Sequence, residues 1–460
     1  VSMRHFNITD SDPYFNHQWL QNNDGYLEFY GINSEEDADI DLAEAWLITK
    51  GDESIKIAVI DLGVDLDHPD LDDNLLEGYD AVPDDELAGG GIFMSDGNAL
   101  AIDYHGTGCA GIIGGEENMT GTIGVAPQCK IVPIRVGYGI DEDTKIIDDD
   151  WMMIGINYAY TDGDADVISM SIGSYTESEM VNLAILGAKM FGRADKGTIV
   201  VCSAGNDNYN NAIYPHWPSS YEYCISVVAS NMCDTRKTPL SCDGENWGSN
   251  YGIENDVAAP GVKVFTTDNT GNEGGTEEDG YSEGYYYDDN YLPFFNGTSS
   301  ATPVVAGTIG LILSQDPSLT YAEVREILET NTDKVGSYDY DAILEHGSWS
   351  NDLGYGRINA YKALLDVIGE DYGCGESIFT SPEETFGDGS LADVYDNNLN
   401  CSWLIQPDDA EQIELTVEEL FLEPGDNLII YDGPNASYPI LETITYSENI
   451  DEPWLTAGSS

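Results

Sequence analysis

The sequence predicts a doubly wound α/β domain, a mostly parallel sheet flanked by helices, followed by a small all-β domain. Three observations carry that expectation. Apolar runs rich in β-branched residues, such as Ile55-Lys56-Ile57-Ala58-Val59-Ile60-Asp61 and Thr198-Ile199-Val200-Val201-Cys202, alternate with helical runs, as in successive βαβ units. Two of them run into small-residue turns holding a polar side chain, Asp61-Leu62-Gly63 and Ser203-Ala204-Gly205-Asn206. Past Gly369 to Gly375 the character changes to short alternating strands, such as Leu428-Ile429-Ile430-Tyr431 before Asp432-Gly433, which reads as an all-β module. The expected domains are therefore residues 1–369 and 370–460.

Taken in order, residues 1 to 54 are polar and aromatic, with a short helix over Asp41 to Leu47. The Asp61 strand is followed by the loop His68-Pro69-Asp70-Leu71. His105-Gly106-Thr107-Gly108-Cys109-Ala110-Gly111 is a turn entering a small-residue helix. Strands are expected at Lys130 to Val136, Val167 to Ser171 and Ile225 to Ala229, and helices at Trp151 to Tyr160 and Val181 to Phe191. Residues 268 to 292 read as a long surface loop. Asn296-Gly297-Thr298-Ser299-Ser300-Ala301-Thr302-Pro303 runs into an apolar helix, and helices over Ala322 to Glu329 and Arg357 to Val367 close the domain.

Bulk properties narrow the classes of function. At 460 residues, 41% of them hydrophobic, the chain can build two cores. Sixteen basic against 85 acidic residues leave a net charge of −69. Such a surface repels nucleic acid and anionic lipid and attracts cations or basic partners. No apolar run approaches the roughly 18 residues of a membrane span. The first residues lack a charged segment followed by an apolar one, so any signal peptide is expected to have been removed or not included. Eight cysteines suit disulfides in an oxidising compartment, and Cys233 and Cys242 stand in one loop-like stretch, although spacing alone does not fix a pairing.

The Ser299 stretch has two readings. A Ser/Thr-rich turn before a helix is a common cap. A serine at a helix N-terminus is also placed to be a nucleophile, since free N–H groups and the helix dipole favour negative charge there. Asp61 and His105, each at the end of a strand or the start of a helix, decide for the second. Serine attacks a carbonyl, imidazole takes its proton, and a buried carboxylate fixes the imidazole.

Val59-Ile60-Asp61-Leu62-Gly63, His105-Gly106-Thr107-Gly108-Cys109 and Gly297-Thr298-Ser299-Ser300-Ala301-Thr302-Pro303 resemble the three signatures of the subtilisin-like serine proteases, in that family's order. The resemblance spans about residues 10 to 368. It implies a subtilisin-like fold and a secreted serine endopeptidase with Asp61, His105 and Ser299 as its triad. Asn206 and the Ser299 N–H would form its oxyanion hole. Ser171-Ile172-Gly173 and Ser203-Ala204-Gly205 would bind substrate as an added strand. Ser300 and Thr302 depart from the family's commonest residues. Cys109 is similar to the cysteine of the kexin and proteinase K branches and implies sensitivity to mercurials.

Asp12-Pro13-Tyr14-Phe15-Asn16-His17-Gln18-Trp19 is similar to the start of the mature kexin domain. That likeness implies structural Ca2+ held by Asp12, Asp70, the Asn118 side chain and backbone carbonyls near Glu116, Thr120 and Thr122, a hard-oxygen set suited to the ion. Paired-basic specificity is an alternative, yet the positions that would carry acids fall near Thr176 and Pro215, with only Glu177 and Glu179 close by. A second alternative is a catalytically silent binding protein on the same scaffold. Cys374, Asn400-Cys401-Ser402-Trp403 and Leu428 to Gly433 resemble a CUB domain. The resemblance implies a Cys374–Cys401 disulfide, a protein or carbohydrate ligand, and a module that is incomplete at Ser460. Partners are then a protein or peptide substrate and that ligand, for a monomer that neither binds nucleic acid nor spans a membrane.

Overall fold

A computed structural model describes residues 12–83, 96–100, 102–140, 144–271 and 290–369, with the backbone of six strands between 376 and 459. Phe6–Ile368 forms one compact unit, and Gly369–Ser460 belongs to another. At the centre of the first is a sheet whose strands run, side by side, Thr332–Asp333, Arg357–Ile358, Val257–Pro260, Ile225–Asn231, Ile199–Ser203, Val167–Met170, Lys56–Asp61, Lys130–Arg135 and Tyr79–Asp80. Every pairing along it is parallel except that between Thr332–Asp333 and Arg357–Ile358.

Alternation along the first strand explains the two layers of helices. Ile57 and Val59 point into one apolar cluster, which also holds Ile113, Val304 and Ile309 from the helices His105–Gly114 and Thr298–Gln315. Ala58 and Ile60 point into the other, with Ile156 and Ile185 from Asp149–Tyr160 and Glu179–Asp195. A strand covered on both faces must be apolar on both, which is why it reads as a continuous run. From Lys56–Asp61 the sheet grows to one side through Lys130–Arg135 and to the other through Val167–Met170. Asp61 thus ends the strand at which the order reverses, where open α/β sheets leave a crevice.

Two expectations on secondary structure need correction. Arg357 and Ile358 are not helical: Arg357 pairs with Ala258 in the sheet, and the last helix of this unit spans Ala360–Ile368. The Arg357 guanidinium is buried and binds Asp234 and Asp333, anchoring the segment as a strand between Thr332–Asp333 and Val257–Pro260. Residues 268 to 292 are not wholly surface loop either. Asp268 and Asn269 are buried, and Tyr291–Phe295 pairs antiparallel with Val264–Thr267; residues 272–289 lie outside the described set.

Strands of the C-terminal unit pair as Glu376–Phe379 with Ser402–Ile405, Gln412–Val417 with Trp454–Ser459, and Asn427–Tyr431 with Ile440–Thr445, as an all-β module requires. Cys374 and Cys401 lie outside the described residues. Cys233 and Cys242 form a disulfide.

Candidate active site

Asp61, His105 and Ser299 come from three separate elements, Asp61 closing its strand at the carboxyl end of the sheet and His105 and Ser299 each standing at a helix start. Asp61 is fully buried at its strand end, with Oδ1 accepting from the Leu62 N–H at 2.8 Å. His105 opens its helix, and its Nδ1 lies 2.9 Å from both Asp61 carboxylate oxygens. A carboxylate only accepts, so Nδ1 carries the proton and Nε2 is left as the basic nitrogen. Burial disfavours the imidazolium, but the charge and hydrogen bond of Asp61 outweigh it and raise the His105 pKa. Gly106 makes the approach possible, since a Cβ there would come 2.0 Å from the Gly63 carbonyl oxygen. The helix start is pinned by Val264–Thr267, where Thr267 Oγ1 donates to the Thr107 carbonyl and Thr266 Oγ1 to that of Gly108.

Ser299 is the second residue of its helix and is 8% exposed. Pro303, four residues on, lacks the N–H that would normally bond the Ser299 carbonyl. That carbonyl is taken instead by Ser171 Oγ at 2.9 Å and by Cys109 Sγ at 3.6 Å. The Ser299 hydroxyl donates to the Ser171 carbonyl at 3.2 Å. Cys109 bridges the two parts of the site, its Sγ lying 3.9 Å from Asp61 Oδ2 and 3.6 Å from the Ser299 carbonyl oxygen, while the serine hydroxyl is turned to Ser171. Ser300 is buried with its hydroxyl unpartnered, and Thr302 Oγ1 donates back to the Thr298 carbonyl at 2.7 Å. Cys109 is completely buried against Asp61, and its thiol is pushed well above the usual range by burial and then by that carboxylate.

The helix start also fixes Asn206. Its Oδ1 accepts from the Thr298 N–H at 2.8 Å and from the Thr298 hydroxyl at 3.0 Å, while Thr298 Oγ1 accepts from the Gly205 N–H at 3.1 Å. With the oxygen side occupied, the exposed amide presents Nδ2 as a donor. Gly297 has φ of 120°, and a Cβ built on it would lie 3.2 Å from Asn206 Nδ2 and 3.4 Å from the Ser299 N. Asn206 Oδ1 lies 3.6 Å from the same point, so the glycine is what lets the Asn206 amide and the Ser299 N–H come together at the helix start.

Ser171-Ile172-Gly173 and Ser203-Ala204-Gly205 extend the ends of two neighbouring sheet strands. On the His105 side, a cleft of about 160 Å³ is lined by Leu62, Ile102, Tyr104, His105, Lys145, Ile147, Ser171 and Ile172. Glu177 and Glu179 are exposed, and Glu177 accepts from Asn182 Nδ2 at 3.0 Å. Asn250 has no marker in the local sequence. Its Nδ2 donates to the Ala204 carbonyl at 2.8 Å, its Oδ1 accepts from the Tyr209 N–H at 2.8 Å, and its N–H donates to the Gly205 carbonyl. It therefore clamps the turn that carries Asn206.

The residues expected around a cation also converge. Asp12 Oδ1 accepts from the N–H groups of Asn118 and Thr120, and Asp70 Oδ2 accepts from Thr122 N and Oγ1. The other oxygen of each acid, Asp12 Oδ2 and Asp70 Oδ1, is buried with no partner. Glu116 is buried nearby, with its oxygens on the Asp73 N–H and Asn118 Nδ2. Burial, with Asp12 and Glu116 adding to it, raises the Asp70 pKa to about 8. Buried acids with orphaned oxygens call for a cation, and an all-oxygen set fits calcium. The Asn118 oxygen accepts from the Thr120 N–H at 2.8 Å, so it is already partly engaged.

The sequence profile of the Subtilase family matches residues 52–356, and that of the CUB domain matches residues 374–454. Thermitase of Thermoactinomyces vulgaris is 31% identical over 360 residues, covering 77% of this chain and 99% of that protein. A calcium-dependent protease of Trichormus variabilis is 33% identical over 430 residues, covering 87% of this chain and 58% of its own length. A solved protease structure from Pseudoalteromonas arctica aligns with a TM-score of 0.58 at 28% identity, over 78% of this chain and 99% of that one.

Proposed function

The chain belongs to the subtilase family of serine proteases and carries a CUB domain, and we propose that it is a secreted, calcium-stabilised endopeptidase using Asp61, His105, Ser299 and Asn206. The observation that carries this reading is the pair of 2.9 Å contacts from His105 Nδ1 to Asp61, which leave Nε2 as the basic nitrogen.

A peptide lies along Ser171–Gly173 and Ser203–Gly205, adding a strand between them. Ser299 Oγ attacks the carbonyl carbon while its proton passes to His105 Nε2, and the carbonyl oxygen becomes an oxyanion held by Asn206 Nδ2 and the Ser299 N–H. Asp61 stabilises the imidazolium. His105 then returns the proton to the leaving amine, giving an acyl-Ser299 ester. Water, deprotonated by the same nitrogen, cleaves that ester and restores the serine.

Calcium, when bound, neutralises buried acids and ties the N-terminal segment to the loops around Asp70 and Thr122. Asp12, Asp70 and Glu116 supply charge for it, and the names of the calcium-dependent relatives agree. The Cys233–Cys242 disulfide favours an oxidising, extracellular setting. No described helix is long and apolar enough to cross a membrane. The CUB domain is assigned a protein or carbohydrate ligand. Hydrolysis of a denatured protein substrate, present in wild type and lost in Ser299→Ala, tests the reading; hydrolysis that survives the substitution refutes it.

A further inference from the structure

The imidazole of His216 lies between the two proposed substrate-binding segments. A Cβ built on Gly173 would come 2.5 Å from His216 Cε1, and one on Gly205 would come 3.0 Å from His216 Cδ2. The ring therefore spans the gap between the two glycines and is 92% buried, with 8% exposure. The Ser203 carbonyl can only accept, so the 3.0 Å contact to it puts the proton on Nδ1 and leaves Nε2 an acceptor. Ser219 Oγ lies 3.4 Å from the same nitrogen and donates to the His216 carbonyl at 2.8 Å.

Surroundings on every side keep the ring in place. Ser174 and Trp217 exchange backbone hydrogen bonds of 2.8 and 2.7 Å, which ties the His216 segment to the Ser171 side. Tyr175 packs edge-on at 5.3 Å, with its hydroxyl bonded to Asp207 and Asn250. Burial lowers the His216 pKa, against the opposing pull of the Ser203 carbonyl and of Asp207, so the ring presents an acceptor rather than a charge.

In the reading above, the attacked carbonyl carbon sits over Ser299 Oγ with its oxygen toward Asn206. The side chain of the residue before the cleaved bond hangs from the adjacent carbon, and so enters between Gly173 and Gly205. We propose that His216 is the floor of this first pocket and restricts it to short side chains, favouring those that donate a hydrogen bond, such as serine and threonine. A phenyl ring or leucine entering there meets an imidazole with no room to move. The proposal rests on the Ser299 assignment and adds a substrate class to it.

The test uses succinyl-Ala-Ala-Pro-X-p-nitroanilides with X as Ala, Ser, Leu or Phe, each protein being titrated with a fluorophosphonate. Wild type should favour Ser and Ala over Phe in kcat/KM by about tenfold or more, and His216→Gly should raise the Phe-to-Ser ratio by a similar factor, the scale on which pocket volume discriminates. His216→Gln, a bulky acceptor, should keep the preference for short side chains. A wild type that favours Phe overturns the proposal even if His216→Gly does not fold. So does a labelled His216→Gly with an unchanged ratio, and in both cases the nucleophile assignment stands. If wild type takes no label, that assignment falls and the pocket with it.

Discussion

Ser299 and Ser171 hold each other reciprocally: the Ser299 hydroxyl donates to the Ser171 carbonyl at 3.2 Å, and the Ser171 hydroxyl donates to the Ser299 carbonyl at 2.9 Å. The second bond compensates for Pro303 and locks the helix start. The first parks the proposed nucleophile on a carbonyl that a bound peptide would claim with its own N–H, which would release the hydroxyl toward His105. Replacing Ser171 by Ala removes the lock but leaves the parking carbonyl. One hydrogen bond is worth about 1 kcal/mol, so kcat/KM should fall about fivefold while Ser299 still reacts with a fluorophosphonate. Loss as complete as in Ser299→Ala would contradict a merely positioning role.

Protonation of His105 should govern the acid limb of the activity profile. Imidazole must be neutral to accept the Ser299 proton, and Asp61 raises its pKa despite burial. Activity should therefore be lost as pH falls through a midpoint above the usual histidine value of about 6.5. Asp61→Asn should move that midpoint down and reduce kcat by about 10⁴-fold. An unmoved midpoint would mean that Asp61 does not hold the titrating group.

Asn206 has its oxygen committed to Thr298 and its nitrogen beside the Ser299 N–H. Asn206→Ala should lower kcat by about 10²- to 10³-fold with little change in KM, the cost of losing one donor to an oxyanion. A rise in KM at constant kcat would instead make Asn206 a ground-state binding residue.

Chelation bears on the orphaned oxygens of Asp12 and Asp70. A ligand at a hundred times its dissociation constant adds about 2.7 kcal/mol to stability, so EDTA should lower Tm by several degrees. Asp70→Asn should start from the lower Tm and no longer respond to calcium. Equal Tm values with and without calcium in wild type would count against the site.

Much of the site was legible because its signals are local. Gly106 is needed for one close approach, Gly297 for one backbone angle, and Pro303 for one freed carbonyl, so each left its mark beside a candidate residue. The Asp61 strand was legible for a similar reason, since burial on two faces leaves an unbroken apolar run. Arg357–Ile358 was not, because a two-residue strand exists only through its pairing with Ala258. Asn250 acts on Ala204 from 46 positions away, and His216 gains its place only when Gly173 and Gly205 are brought to either side of it. Neither role has a periodicity to read. The surface loop expected over residues 268 to 292 misled for a related reason: its polar composition hid the buried Asp268 and Asn269, the latter accepting from Thr107 Oγ1 of the His105 helix.

The most direct test of the nucleophile assignment is stoichiometric fluorophosphonate labelling followed by mass spectrometry of the modified peptide. The account predicts one adduct per chain, located on Ser299 and absent from Ser299→Ala. No adduct on native protein, or an adduct that persists in Ser299→Ala, would contradict it.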